Sequence, residues 1–148
     1  MEVQPDFKDL LELFNAHKVE FIIIGGYALA YHGAPRYTGD IDILVKPDPQ
    51  NAERIIKALN KFGFGSVGLT KEDFENPDNV IQLGVPPVRV DIIMSITEVS
   101  WEDAFAGCVE GKYGNVPVKY IGKKEFIINK HATGRKKDLS DLEALGEE

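Results

Sequence analysis

The sequence predicts an α+β fold, a mixed β-sheet flanked by helices, in a chain of 148 residues. Two observations predict it. Short apolar runs of strand length alternate with longer stretches whose apolar residues recur with helical period. Glycine and proline mark most of the boundaries, and no internal repeat, linker or low-complexity segment breaks the alternation. A chain this long can bury about 68–70% of its unfolded surface, enough for one ordinary core, so residues 1–148 are read as a single domain.

The elements follow in order. Residues 5–17 carry Phe7, Leu10, Leu11, Leu13 and Phe14 as one stripe behind Pro5, a helix start. Phe21-Ile22-Ile23-Ile24 is a short buried strand, and the helix around 27–32 begins straight after Gly25-Gly26. A strand near 41–46 ends at Pro47-Asp48-Pro49. Residues 51–62 form a helix with Ile55, Ile56, Leu59 and Phe62 on one face and Gly63 as its stop. A short strand is expected over 64–69. Thr70 with Asp73 has capping character, and Asn76-Pro77-Asp78-Asn79 is a turn. Residues 80–85 and 88–94 are two strands joined by the rigid Pro86-Pro87. Ser100 with Asp103 caps a short helix carrying Trp101 and Phe105. Residues 112–121 make a hairpin around Gly114-Asn115, and two helices separated by Gly134 close the chain.

The chemistry concentrates on one of these strands. Residues two apart on a strand face the same side, with Cα atoms roughly 6.5–7 Å apart. Asp40 and Asp42 therefore aim two carboxylates at one spot, while Ile41, Ile43 and Val45 pack the other way. Carboxylates that close repel one another and are costly to desolvate, so a cation is expected between them. Hard divalent ions with phosphate oxygens fit that need; a polar strand end is the plainer reading. Gly25-Gly26, between a strand and a helix, is the arrangement that lets backbone N–H groups approach a phosphate; it is also a good tight turn. A third acid, Asp91, stands alone in the apolar run 88–94, where an unpaired Asp is rare. If that strand lies beside the one bearing Asp40 and Asp42, the three carboxylates converge. The loop 33–39 adds a cation, Arg36, and a hydroxyl, Thr38, just before them.

Gly25-Gly26, Asp40-Ile-Asp42-Ile and Val90-Asp91-Ile92 together resemble the signature of the nucleotidyltransferase superfamily that includes DNA polymerase β. The longer string from Gly25 through His32, Arg36 and Thr38 to Asp42 is similar to small prokaryotic nucleotidyltransferases related to AbiEii-type toxins of toxin–antitoxin and phage-defence systems. That branch also carries a later Lys and a closing Arg-x-Lys-Asp-x-x-Asp, matched by Lys130 and by Arg135 to Asp141. The resemblance spans about residues 20 to 145; larger relatives append a helical domain after the last of these helices. It implies a polymerase-β-like core that moves a nucleoside monophosphate from a nucleoside triphosphate to a protein or RNA acceptor. It also implies two Mg²⁺ ions, or Mn²⁺, held by Asp40, Asp42 and Asp91 as the catalytic and metal-binding carboxylates. Gly25, Gly26, Arg36, Thr38 and Lys130 would bind the nucleotide, and a cognate toxin or antitoxin partner is implied. The alternative is a catalytically silent nucleotide- or partner-binding member of such a pair.

Composition narrows the setting. The net charge is −7, yet residues 112–137 hold eight basic side chains against Glu125 alone, a local +7 that leaves −14 on the rest. The acidic balance speaks against general nucleic-acid binding, and the basic stretch is compatible with a phosphate-binding edge. Lys112, Lys119, Lys123 and Lys124 are read as solvated. A single cysteine, Cys108, and the lack of a membrane-length apolar run or signal-peptide pattern point to the cytoplasm. His32 is expected to bond a loop carbonyl near the site, His17 and His131 to sit at helix ends. Asp138 and Asp141 share a helix face and are read as structural as much as functional. Arg89 is expected on the sheet face opposite Asp91. Tyr27, Tyr31 and Tyr37 are open between packing and base stacking.

Overall fold

A computed structural model describes residues 3–34, 39–64, 68–85 and 88–146. The described residues form α1 (Pro5–Ala16), β1 (Phe21–Ile24), α2 (Gly25–Tyr31), β2 (Asp40–Val45), α3 (Pro49–Leu59), β3 (Val80–Val85), β4 (Val88–Ile93), α4 (Trp101–Gly107), β5 (Val109–Tyr113), β6 (Val116–Tyr120), α5 (Lys123–Thr133) and α6 (Lys136–Ala144). The six strands make one mixed sheet in the order β3-β4-β2-β1-β6-β5. Hairpin neighbours run antiparallel, whereas β2 with β4 and β1 with β6 run parallel. The α+β architecture expected from the alternating pattern is the one observed.

The core is built where the periodicities place it. Phe7, Leu10, Leu11 and Phe14 of α1 are buried, as is every residue of β1. Phe14 meets Phe21 edge-on, and Tyr27 lies edge-on between Phe7 and Tyr113, so Tyr27 is a packing residue. On β2, Ile41, Ile43 and Val45 are fully buried, on the face away from the two carboxylates. Asn51 is buried as well. Its side chain accepts from the Glu20 amide and donates to the carbonyls of Glu20 and Lys46, tying the start of β1 to the end of β2.

One boundary shifts and one expectation fails locally. The helix expected over 51–62 starts at Pro49, capped by Asp48, and passes at Asn60 into a wider turn that ends at Phe64. Gly63 breaks it, with φ of 111°, as a glycine stop should. The strand expected over 64–69 is absent among the described residues: Phe64 belongs to that turn and 68–70 are irregular. Its apolar residues Phe64 and Leu69 pack against the core. No helix among the described residues is long and apolar enough to cross a membrane.

Candidate active site

Strand pairing assembles the acidic cluster. The β2–β4 register sets Asp40 opposite Arg89 and Asp42 opposite Asp91. Because alternate residues share a face, all four side chains lie on the same side of the sheet. Asp91 is buried, and Asp40 and Asp42 are half-buried. Burial, followed by the charge and hydrogen bonding of Asp91, pushes the Asp42 carboxyl up to about 6, against an opposing pull from Lys137. A raised carboxylate pKa means that negative charge is undercompensated there.

Arg89 overturns its expected position. It faces Asp91, not the opposite side, because the two-residue period that unites Asp40 with Asp42 unites Arg89 with Asp91 too. Its Nη2 lies 2.8 Å from Asp40 Oδ2 and donates to Asp91 Oδ2 at 3.1 Å. Nε stands 3.1 Å from Asp91 Oδ1, within ion-pair range. Neither of those two buried atoms has a hydrogen-bond partner.

Gly25 closes the other side. It starts α2 directly at the end of β1, where Ile24 pairs with Asp42. Its φ is +70°, and a Cβ there would collide with the Asp42 carboxylate. No side chain caps the first turn of α2, so its amides are not engaged by a cap. Below lies a cleft of about 490 Å³ lined by Gly25, Asp42, Thr97, Asn129, Lys130 and Arg135, among others. A larger cleft of about 690 Å³, bounded by Phe21, Trp101, Phe105 and Lys119, does not include the carboxylates. Chemistry, not size, selects the smaller one.

The chain end supplies the cations. Lys130 is buried on α5 and lies 3.3 Å from Asp138 Oδ1. Asp138 is fully buried; its Oδ2 accepts from Thr133 at 2.6 Å and from Arg135 Nε at 2.8 Å. Burial alone would raise its pKa, but Arg135, Thr133 and Lys130 outweigh it and hold the carboxyl well below the usual range. Asp138 therefore clamps α5 to α6, and Asp141 is buried one turn on. His32 Nε2 donates to the Ile121 carbonyl at 2.7 Å, the loop contact expected of it. Tyr31 stacks on Tyr120 at 4.3 Å. Arg36, Thr38 and Tyr37 lie outside the described residues. Lys137 is the residue that sequence reasoning passed over as a site residue, although its place in the Arg135-x-Lys137 string was visible.

The donor set suits a hard divalent cation: carboxylate oxygens only, one of them buried without a hydrogen bond, and charge left over on Asp42. As the side chains stand, no three acidic, His or Cys residues among those described surround a single point. Arg89, bonded to Asp40 and Asp91, takes up the space between them.

A family model described as nucleotidyl transferase AbiEii toxin, type IV toxin–antitoxin system, matches residues 9–102, a stretch that holds Gly25, Gly26 and all three aspartates. The chain belongs to the AbiEii nucleotidyl transferase toxin family. Solved structures similar to this AbiEii-family chain share the fold at low identity. A Thermotoga maritima protein proposed to be a nucleotidyltransferase is 14% identical with a TM-score of 0.61, over 97% of this chain and 92% of its own. The antibiotic-resistance factor ANT(2″)-Ia is 13% identical with a TM-score of 0.61, over 95% and 80%. The lincosamide antibiotic adenylyltransferase LnuA is 16% identical with a TM-score of 0.57, over 97% and 96%. No curated protein is significantly similar in sequence.

Proposed function

We propose that this protein transfers a nucleoside monophosphate from a nucleoside triphosphate to a protein or RNA acceptor, as the toxin of a toxin–antitoxin pair. One observation carries the reading: the β2–β4 register that brings Asp91 alongside Asp42, on the face shared with Asp40. In the reaction an acceptor hydroxyl oxygen bonds the α-phosphorus. The bond from that phosphorus to the bridging oxygen breaks, and pyrophosphate leaves. Mg²⁺ or Mn²⁺ bound by Asp40, Asp42 and Asp91 would supply Lewis-acid charge to the phosphates. Asp91 takes the acceptor proton. The amides of Gly25 and Gly26 donate to phosphate oxygens, and the absence of a Cβ at Gly25 leaves room for the Asp42 carboxylate beside them. Arg135 in the cleft and Lys137, whose charge reaches Asp42, balance phosphate charge, with Lys130 behind them.

The test is transfer of label from each α-³²P nucleoside triphosphate, with Mg²⁺ or Mn²⁺, to components of a cell extract. The adenylyltransferases among the structural neighbours make ATP the first choice. Transfer by the parent chain and its loss in both Asp42→Ala and Asp91→Ala is the expected result. Turnover that survives both substitutions rejects these roles for the two aspartates. A catalytically silent binding role is favoured by one observation, the engagement of Asp40 and Asp91 by Arg89. Calorimetric binding of nucleotide without label transfer would select it.

A further inference from the structure

Arg89 is the charged group of the acidic cluster that the transfer chemistry leaves unused. It presents the single positive charge of a guanidinium to two carboxylates at once, with 2.8 Å to Asp40 Oδ2 and 3.1 Å to each oxygen of Asp91. The fit is incomplete. A guanidinium is a planar fork that needs aligned acceptors, and Nε and Oδ1 face each other at 3.1 Å with no hydrogen bond formed. A spherical ion has no such directional demand. The Arg89 side chain is also 30% exposed, so it can turn to solvent without a backbone change.

We propose that Arg89 is a built-in counter-cation that competes with divalent metal for Asp40 and Asp91, and that it has to release them before all three aspartates can bind ions. The inference rests on the reading of the three aspartates as metal-binding. Asp40, Asp42 and Asp91 bring three carboxylates to one face of the sheet, and the Arg89 guanidinium stands among them. With it there, one of their charges is already neutralised, and an arriving divalent ion meets a like charge at contact distance. Metal entry and Arg89 release are thus linked, and nucleotide phosphates arriving with the ion offer the freed guanidinium a new acceptor.

The test uses the full chain and Mn²⁺ alone, with binding read by loss of the free-ion paramagnetic resonance signal. Arg89→Met keeps the length of the side chain and removes its charge; Arg89→Lys keeps the charge and loses the fork. In Arg89→Met, Mn²⁺ affinity should rise at least about tenfold. The melting temperature in chelator should fall, and Mn²⁺ should restore it by more than it raises that of the parent. Arg89→Lys should lie between the two. A purely structural role for Arg89 would move affinity the other way, so unchanged or weaker Mn²⁺ binding in either variant, with folding intact by circular dichroism, overturns the proposal. Asp91→Asn separates the two readings. If Mn²⁺ binding depends on Asp91 but not on Arg89, only the counter-cation is wrong. If the parent and Arg89→Met both fail to bind Mn²⁺, the metal-binding reading falls together with it.

Discussion

Asp42 is the residue at which folding and the proposed chemistry pull apart. Its folded pKa stands at about 6 against an ordinary 3.8, because burial and Asp91 disfavour the charge. The folded state therefore holds the Asp42 proton more tightly than the unfolded chain does. That contribution to stability is complete below pH ~4 and is lost as pH rises through 6, a difference of about 3 kcal/mol. Asp42→Asn removes the cost at high pH. In chelator its melting temperature should exceed that of the parent by several degrees at pH 8, with the gap closing near pH 4. A constant gap across that range, followed by scanning fluorimetry, would show that Asp42 is not strained by charge. Arg89 illustrates legibility at the same scale: its side of the sheet was written in the two-residue period, and its pairing with Asp40 was not. That pairing depends on which strand lies next to β4.

At the scale of elements, the helices that close the chain are held by one buried carboxylate. Asp138 caps α6 through the Arg135 amide and reaches back across Gly134 to Lys130 on α5. Asp138→Ala leaves Lys130 buried without its partner and should cost about 3–5 kcal/mol, measurable by urea unfolding. A loss below 1 kcal/mol would mean that water replaces the pair. The start of α2 is governed by Gly25 for a different reason. Its φ of +70° and the collision of any Cβ with Asp42 mean that Gly25→Ala is strained twice over. We expect a loss of at least about 1–3 kcal/mol, with nucleotide binding weakened beyond what stability explains. Normal calorimetric affinity in Gly25→Ala would refute the cradle. Most elements were legible because each carries a strong local period or a cap, such as Ser100 accepting from the Asp103 amide. The strand expected over 64–69 rested on apolar residues alone, and among the described residues Phe64 belongs instead to the turn that ends the third helix.

The whole molecule gathers Arg135 and Lys137 from the last third of the chain and its carboxylates from the first third, Asp40 and Asp42, and the middle, Asp91. Lys137 and Arg135 act on Asp42 from α6, across the cleft, whereas Lys112, Lys123 and Lys124 stay exposed as expected. A ligand that bridges the two halves stabilises the folded state by mass action. ATP with Mg²⁺ at a hundred times its dissociation constant contributes about 2.7 kcal/mol. For a chain of this length that is a rise of about 5–10 °C in melting temperature. The rise should vanish in Asp42→Ala and shrink in Lys137→Ala. An equal shift in all three proteins would place nucleotide binding elsewhere.

The sequence by itself determined which residues carry charge on which face of each strand, where the glycines break the chain, and the family string that unites them. These are local properties, fixed by the periods of strand and helix and by the conformational freedom of glycine. Only the tertiary structure decided that β4 runs parallel beside β2 in a register that sets Asp91 against Asp42, and that Arg89 fills the gap between Asp40 and Asp91. Strand adjacency is chosen by burial over the whole core. No short stretch of sequence contains that choice.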